Sequence, residues 1–141
     1  MTAAGYSGTP LPQKLGIKSG MSVGIVDSPP GFYKTLGTLP EGVRAHSDLT
    51  RSDIFILFGQ WADELDQAFT RAASVLPANG SIWVAWPKRS SGVDTDITED
   101  TLRELFLPSG MVDNKVCAID DTWSGLRFVV RKENRAAWRG E

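Results

Sequence analysis

The chain is poor in the residues that hold proteins together covalently or through metals. Its 141 residues include one cysteine, Cys117, and one histidine, His46. A single cysteine excludes an internal disulfide and fits a reducing compartment. Without clustered cysteine and histidine ligands a structural zinc site is disfavoured, and we expect no metal. Because "NKVCAID" is typical of a buried strand, we interpret Cys117 as a small core hydrophobe rather than a nucleophile.

Long apolar segments are also missing. The longest runs, "IFILF" and "IWVAW", are too short to cross a bilayer, and "MTAAGYSGTP" lacks the cation-then-apolar pattern of a signal peptide. We therefore expect a cytoplasmic protein with no membrane partner. The formal net charge of -2 argues against a general attraction to nucleic acid, so that partner class ranks last.

The chain does contain alternating strand and helix patterns. Apolar runs at residues 21–26, 53–58 and 81–86 predict buried strands, and "GVRAHS" predicts a short additional strand. A short helix is expected to begin near Pro30. The spacing of apolar residues over residues 60–76 predicts a long helix with one buried face.

A further helix is predicted to begin after "DIT". Thr98 is a good N-cap, Glu99 and Asp100 follow it in the first turn, and Ile97 is placed to pack on Leu102 as a hydrophobic staple. The last two strands, "KVCAID" and "LRFVVRK", are separated by "DTWSG", which predicts an antiparallel hairpin. Any frayed helix in the remaining tail would have Trp138 as its anchor.

The order of these elements implies a small, doubly wound α/β fold with a mostly parallel sheet and a C-terminal antiparallel hairpin. We expect one domain over residues 1–132, with an N-terminal extension over 1–20 and a C-terminal tail over 133–141. Between Val26 and Asp53 there is room for only one helix and one short strand. The sheet is therefore predicted to be truncated on that side.

The segments "DIFILF" and "LPANGSIWVAWP", with the helices and hairpin around them, are similar to the second half of class I S-adenosylmethionine methyltransferases. Three further segments, "GYSGTPLPQKLGIKSG", "WPKRSSGVDTDITED" and "GMVDNKVCAIDDTWSGLRFVVRK", resemble the bacterial domain of unknown function 3052 family. These resemblances imply a methyltransferase-like, Rossmann-like fold, and the second family carries no assigned activity.

The turn after the first strand departs from the methyltransferase pattern. A cofactor turn of that type is rich in glycine, whereas "VDSPPGF" keeps Asp27 and Gly31 and places two prolines between them, removing two backbone donors. Asp48 stands at about the distance expected of an acidic residue that binds the ribose hydroxyls. We therefore expect no cofactor, with S-adenosylmethionine as the alternative.

In an open α/β sheet, ligands bind outside the carboxyl ends of the strands. Three loops share that edge, and their cations and hydroxyls indicate a site for a small anionic ligand or an acidic peptide. The ligand-binding candidates are Asp27, Ser28, Gly31, Trp61, Trp86, Lys88, Arg89, Ser90 and Ser91. Trp123, in the hairpin turn, either folds back on the sheet or binds a protein partner.

Three functions remain open. We favour a non-catalytic binding or regulatory module on a degenerate methyltransferase-like fold, because no general acid-base pair stands out. The first alternative is an active S-adenosylmethionine-dependent methyltransferase. The second is a protein-protein interaction module that acts through the acidic helix, the hairpin edge or the basic tail. The sequence assigns no catalytic residue.

Overall fold

The computed structural model describes residues 8–138, and the outer parts of the expected extension and tail lie outside the described residues. A six-stranded sheet with the order β2-β1-β3-β4-β6-β5 forms its centre. The first four strands in this order are parallel, whereas β6 runs antiparallel to both β4 and β5. The strands are β1 (Ser22–Val26), β2 (Arg44–His46), β3 (Ile54–Phe58), β4 (Ser81–Pro87), β5 (Met111–Ala118) and β6 (Trp123–Val130).

Four α-helices cover the two faces of this sheet. They are α1 (Leu11–Lys14), α2 (Phe32–Leu36), α3 (Ala62–Ser74) and α4 (Glu99–Phe106), with short 3₁₀ turns at Arg89–Ser91, Leu107–Ser109 and Lys132–Asn134. Helices α3 and α4 pack on one face of the sheet. Helix α1, the loop after it and helix α2 pack on the other face. This arrangement confirms the predicted doubly wound α/β fold.

The central strands are apolar because both of their faces are covered. Every residue of β3 and β4 is buried. On the α3 and α4 face, the rings of Phe69 and Phe106 stack with their centroids 3.9 Å apart, and Phe128 of β6 meets both rings edge-on. These three side chains connect both long helices to the sheet.

The predicted start of α4, with Thr98 as N-cap and Glu99 and Asp100 in the first turn, is confirmed. The Thr98 hydroxyl accepts a hydrogen bond from the Thr101 amide at 3.1 Å, which satisfies one free donor at the start of α4. At the start of α3, Glu64 Oε1 accepts from the amides of Gln60 and Trp61 at 3.0 and 3.2 Å. Glu64 thereby fixes the loop that leads from β3 into the helix.

The expected truncation is present beside β1. Only α2 and the three-residue strand β2 separate β1 from β3, and the side chains of β2 are half-buried or exposed. The connection from His46 to Asp53 holds no helix. The face of β1 and β2 toward α3 therefore stays open, and this opening contributes to the candidate site.

The predicted bounds of the hairpin were wrong. Strand β5 begins at Met111 rather than Lys115, because a register shift between Asp113 and Lys115 interrupts the alternation of buried and exposed residues. Strand β6 begins at Trp123 rather than Leu126, because its pairing follows β4 to the end, where Trp123 lies opposite Pro87. Trp123 is therefore a strand residue, not the tip of a tight turn.

The expected N-terminal extension is part of the core over its described residues. Leu15 and Ile17 are buried, and the buried Trp83 indole donates to the Leu15 carbonyl at 2.9 Å. At the other end, the Trp138 indole donates to the Leu76 carbonyl at 2.8 Å, which confirms Trp138 as the anchor of the tail. Both segments pack against the rest of the domain instead of projecting away from it.

Cys117 is buried in the layer that α1 and α2 cover. Burial raises the pKa of its thiol, because the charged thiolate loses its hydration there. A raised pKa keeps the thiol neutral and unreactive at physiological pH. The interpretation of Cys117 as a core residue is confirmed.

Candidate functional site

The carboxyl ends of the parallel strands meet at one edge of the sheet, where the loops after β3 and β4 are tied together. The Gln60 side-chain amide donates to the Asp94 carbonyl at 2.8 Å, and the Thr95 hydroxyl donates to the Gln60 carbonyl. The Asp96 carboxylate accepts from the Ala62 amide at 2.8 Å. These hydrogen bonds join the two loops at this edge of the sheet.

The turn after β1 has an unusual backbone. Asp27 has a φ of 58°, and it is the sole non-glycine residue with a positive φ between residues 8 and 138. Aspartate tolerates this conformation better than most residues, although glycine adopts it more readily. Pro29 and Pro30 lack amide donors, and the Pro29 carbonyl accepts from the Phe32 amide at 3.1 Å. This turn offers few donors to a phosphate.

A cleft of about 470 Å³ opens between the ends of β1 and β2 and helix α3. Asp27 and Asp48 line it from the two strand ends, and Glu64 and Arg71 line it from the helix. We call this space the acidic cleft, because its charged lining is three carboxylates and one guanidinium. It brings together Asp27 and Asp48, the two carboxylates that the methyltransferase resemblance singled out.

Asp48 is held in place through one of its two oxygens. Oδ1 accepts from the Thr50 hydroxyl at 2.7 Å and from the Thr50 amide at 3.3 Å, and it lies 2.7 Å from His46 Nδ1. The Thr50 hydrogen bonds, with a smaller contribution from His46, lower the pKa of Asp48. Because the three contacts share Oδ1, Oδ2 is left to accept from a ligand.

The contact with His46 belongs to a longer chain of polar groups. His46 Nε2 lies 2.6 Å from the Ser52 hydroxyl, which donates to the Thr50 carbonyl at 3.0 Å. The approach of Nδ1 to Asp48 is outside hydrogen-bond geometry, so the contact stabilises mainly as an ion pair when the imidazole is charged.

The order Asp48, His46, Ser52 resembles a hydrolase triad, but Ser52 is only 2% exposed and its hydroxyl proton is already bonded. A buried serine of this kind has no access to a substrate. The chain of polar groups therefore positions Asp48 rather than performing nucleophilic chemistry. Sequence reasoning missed it, although the polar run "HSDLTRS", which begins at the last residue of β2, was a signal.

A second cleft, of about 540 Å³, lies beside the loop after β4. Trp86 and Val93 supply apolar surface to it, whereas Arg89, Asp94 and Glu99 supply charges of both signs. We call it the β4 cleft. Its mixed charge fits a polar organic molecule better than a simple anion.

The predicted hydroxyl and cation site is only partly assembled. The Ser91 hydroxyl donates to the Lys88 carbonyl at 2.6 Å and accepts from the Val93 amide at 3.2 Å, so it is occupied by the turn itself. The Lys88 amide donates to the Thr122 carbonyl at 2.7 Å. Trp86 is 6% exposed and belongs to the core, whereas Trp61 is 41% exposed.

The nine candidates do not all line the same cleft. Asp27 lines the acidic cleft, and Trp86 and Arg89 line the β4 cleft. The other candidates line neither of these two clefts; they are Ser28, Gly31, Trp61, Lys88, Ser90 and Ser91. Neither of these two clefts brings Ser28 together with the Lys88–Gly92 loop, and their meeting at one ligand stays a prediction.

Trp123 folds back on the sheet. Its ring meets Phe58 edge-on with the centroids 5.2 Å apart, and the side chain is half-buried. This is the first of the two alternatives for Trp123. Its use by a protein partner stays a prediction.

Within residues 8–138, no three His, Cys, Asp or Glu side chains are grouped to hold a metal ion. Over the same residues, no helix has the length and apolar character that crossing a membrane requires.

Comparison with solved structures shows a methyltransferase fold. A putative type 11 methyltransferase from Sulfolobus solfataricus is 17% identical, with a TM-score of 0.58, and the match covers 86% of this chain and 90% of that one. The DhpI-SAH complex is 11% identical, with a TM-score of 0.57, over 84% and 81%. An O-methyltransferase family 2 protein from Planctomyces limnophilus, in complex with apigenin, is 11% identical, with a TM-score of 0.57, over 79% and 50%.

This chain spans half the length of the Planctomyces enzyme. No protein-family model matches the chain, and neither does any curated protein. The resemblance to the domain of unknown function 3052 family therefore stays a prediction, whereas the methyltransferase-like fold is confirmed.

Proposed function

We propose that this chain binds S-adenosylmethionine in the acidic cleft and acts as a methyltransferase. The observation that carries the proposal is the position of Asp48, which follows β2 and lines a cleft together with Asp27 from the end of β1. In a dinucleotide-type fold, an acidic residue at the end of the second strand accepts from the ribose hydroxyls. Oδ2 of Asp48 is available for this contact.

The charge of the acidic cleft supports a cationic ligand. Asp27, Asp48 and Glu64 outnumber Arg71 among its charged residues, and the sulfonium of S-adenosylmethionine is a cation. Leu49, beside Asp48, adds apolar surface for an adenine ring. We therefore expect S-adenosylmethionine to bind more tightly than S-adenosylhomocysteine, which lacks the sulfonium charge.

When bound, S-adenosylmethionine would supply an electrophilic methyl group. We assign the acceptor to the β4 cleft, because it lies at the same edge of the sheet and offers both apolar and charged contacts. Trp86 and Val93 would exclude water from the acceptor, and Arg89 would orient a polar or anionic part of it. This assignment places a small organic molecule, rather than a macromolecule, in the acceptor position.

The second candidate is a module that binds S-adenosylmethionine without transferring its methyl group. The turn after β1 favours it, since Pro29 and Pro30 remove the backbone donors that would hold the methionine part of the ligand firmly. Loose positioning at the reacting end costs transfer rate more than it costs binding. The two candidates share the acidic cleft and differ in turnover.

Calorimetry with S-adenosylmethionine tests the proposal directly. Asp48→Asn removes the charge from the ribose acceptor and is expected to weaken binding about tenfold or more. Asp66→Asn is the matched control, because Asp66 is an exposed carboxylate on α3 that does not line the cleft. If the wild type gives no binding heat at concentrations on the order of 1 mM, both candidates are refuted.

A second measurement separates the two candidates. Purified protein is incubated with S-adenosylmethionine and a small-molecule extract of its own cells, and the formation of S-adenosylhomocysteine is followed. Methyl transfer is supported if S-adenosylhomocysteine forms only when the protein is present and forms more slowly with Asp48→Asn. Tight binding without any such product supports the regulatory module.

A further inference from the structure

The opposite edge of the sheet holds a cleft that the proposed function does not use. It measures about 380 Å³ and lies where β1, β3 and β4 begin, at the far ends of the strands from the acidic cleft. Its polar lining comes from Lys18, Asp53, Asn79, Ser81 and Arg127. We call it the amino-end cleft.

Arg127 is the unusual member of this lining. It lies on β6 directly opposite Trp83 of β4, and its Nε atom is buried without a hydrogen-bond partner in the described part of the chain. Among residues 8–138 it also forms no salt bridge. Burial lowers the pKa of its guanidinium, and no carboxylate contact offsets that loss of hydration.

A buried donor without an acceptor costs free energy, and a half-buried cation without an anion adds to that cost. Such groups call for an explanation, and an absent water or ion is a common one. Arginine is suited to an oxyanion, because its planar fork of N–H groups matches the two oxygens of a carboxylate or phosphate. The chemistry of Arg127 therefore indicates the class of ligand that it would bind.

The neighbours of Arg127 in this cleft add further groups that can bind an anion. Lys18 brings a second cation from an exposed loop, and Ser81 and Asn79 bring a hydroxyl and an amide. Asp53 also lines the cleft, but its Oδ2 already accepts from the Ser22 amide at 2.9 Å. Two cations against one engaged carboxylate leave the cleft positive, and that single carboxylate disfavours ligands of high negative charge.

We propose that the amino-end cleft binds a small oxyanion, a phosphate or a carboxylate group, through Arg127 and Lys18. This site is independent of the proposed methyltransferase function, because it shares no residue with the acidic cleft. The two sites stand at opposite ends of β1. An anion here would bridge the segment after α1 to strand β6 and stabilise the fold at the edge where the parallel strands begin.

Calorimetric titrations with inorganic phosphate and with acetate, at one fixed ionic strength, test this proposal and distinguish the two sources of the oxyanion. We expect saturable binding of at least one anion to the wild type. Lys18→Gln and Arg127→Gln are each expected to weaken it about tenfold or more, since each removes a charged hydrogen-bond donor. Lys34→Gln is the matched control and is expected to bind as the wild type does, because Lys34 is an exposed lysine on α2 that does not line the cleft.

Two results would overturn the proposal. One is the absence of saturable heat from either anion with the wild type, which would leave a water as the partner of Arg127. The other is equal binding by the wild type and Lys18→Gln, which would mean a general ionic effect. Lys18→Gln decides the question if Arg127→Gln fails to fold, because Lys18 is exposed and supports no core contact.

Discussion

Gly24→Ala is expected to destabilise the protein through a specific clash in the middle of β1. A Cβ at Gly24 would lie 2.8 Å from Phe55 Cδ1, 2.9 Å from Phe55 Cε1 and 3.2 Å from His46 Cε1. Phe55 is fully buried, so its ring cannot move into solvent. Gly24 therefore makes room for Phe55 of β3 and for His46, which holds Asp48.

The size of the effect follows from two opposing terms. Overpacking a well-packed core costs about 1–3 kcal/mol. Replacing glycine by alanine in a strand recovers about 0.5–1 kcal/mol of backbone conformational entropy. From the midpoints of these two ranges, the expected net loss in the free energy of unfolding is about 1 kcal/mol. Urea denaturation followed by tryptophan fluorescence measures it.

A double-mutant cycle identifies the clash as the cause. Phe55→Leu alone is expected to cost about 1 kcal/mol, and the Gly24→Ala, Phe55→Leu pair should cost about 1 kcal/mol less than the sum of the two changes. Gly125→Ala is a control with a milder clash, because a Cβ at Gly125 would lie 3.1 Å from its nearest neighbour, Trp83 Cε3. Wild-type stability in Gly24→Ala, or additive costs in the pair, would refute the reasoning.

Three further predictions concern the edges of the fold. Trp138→Phe removes the indole donor from the Leu76 carbonyl and is expected to lower the free energy of unfolding by about 1 kcal/mol, and an unchanged urea midpoint would contradict the docking of the tail. Arg103→Met removes contacts to three carboxylates, of which Asp113 at 3.0 Å is the least exposed. This change is expected to lower the free energy of unfolding by about 1–2 kcal/mol in low salt and by less in high salt. Because burial raises the pKa of Cys117, the thiol of the unfolded chain loses its proton at a lower pH than the thiol of the folded chain. The free energy of unfolding therefore falls as pH rises through the pKa of the unfolded thiol, which is about 8.5. Urea titrations at successive pH values should show this slope in the wild type and a smaller one in Cys117→Ala.

Much of the fold was predictable because its signals are local. The continuous apolar runs of β3 and β4 and the helical spacing of Leu65, Phe69 and Ala72 each report burial that lies within one element. The Thr98 cap is a contact between residues three apart, so the sequence displays both partners. The hairpin bounds failed because the start of β6 depends on its pairing with β4, which is distant in sequence.

The candidate site was predictable only as an edge of the sheet. The rule that ligands bind at the carboxyl ends of parallel strands located Asp27, and spacing alone located Asp48. In the Lys88–Gly92 loop, Arg89 and Gly92 line the β4 cleft, whereas the hydroxyl of Ser91 bonds within its own turn. Hydrogen bonds that a loop makes to itself leave no periodic pattern in a sequence.

The fold class, the truncation beside β1 and the absence of an internal disulfide each follow from chain length, composition or the period of apolar residues. The sharing of a cleft by polar groups, in contrast, is a property of the tertiary structure. Asp48 shares the acidic cleft with Arg71 of α3, and Arg127 shares the amino-end cleft with Lys18, 109 positions away in the sequence. Such meetings depend on strand pairing and helix packing, and no local pattern encodes them.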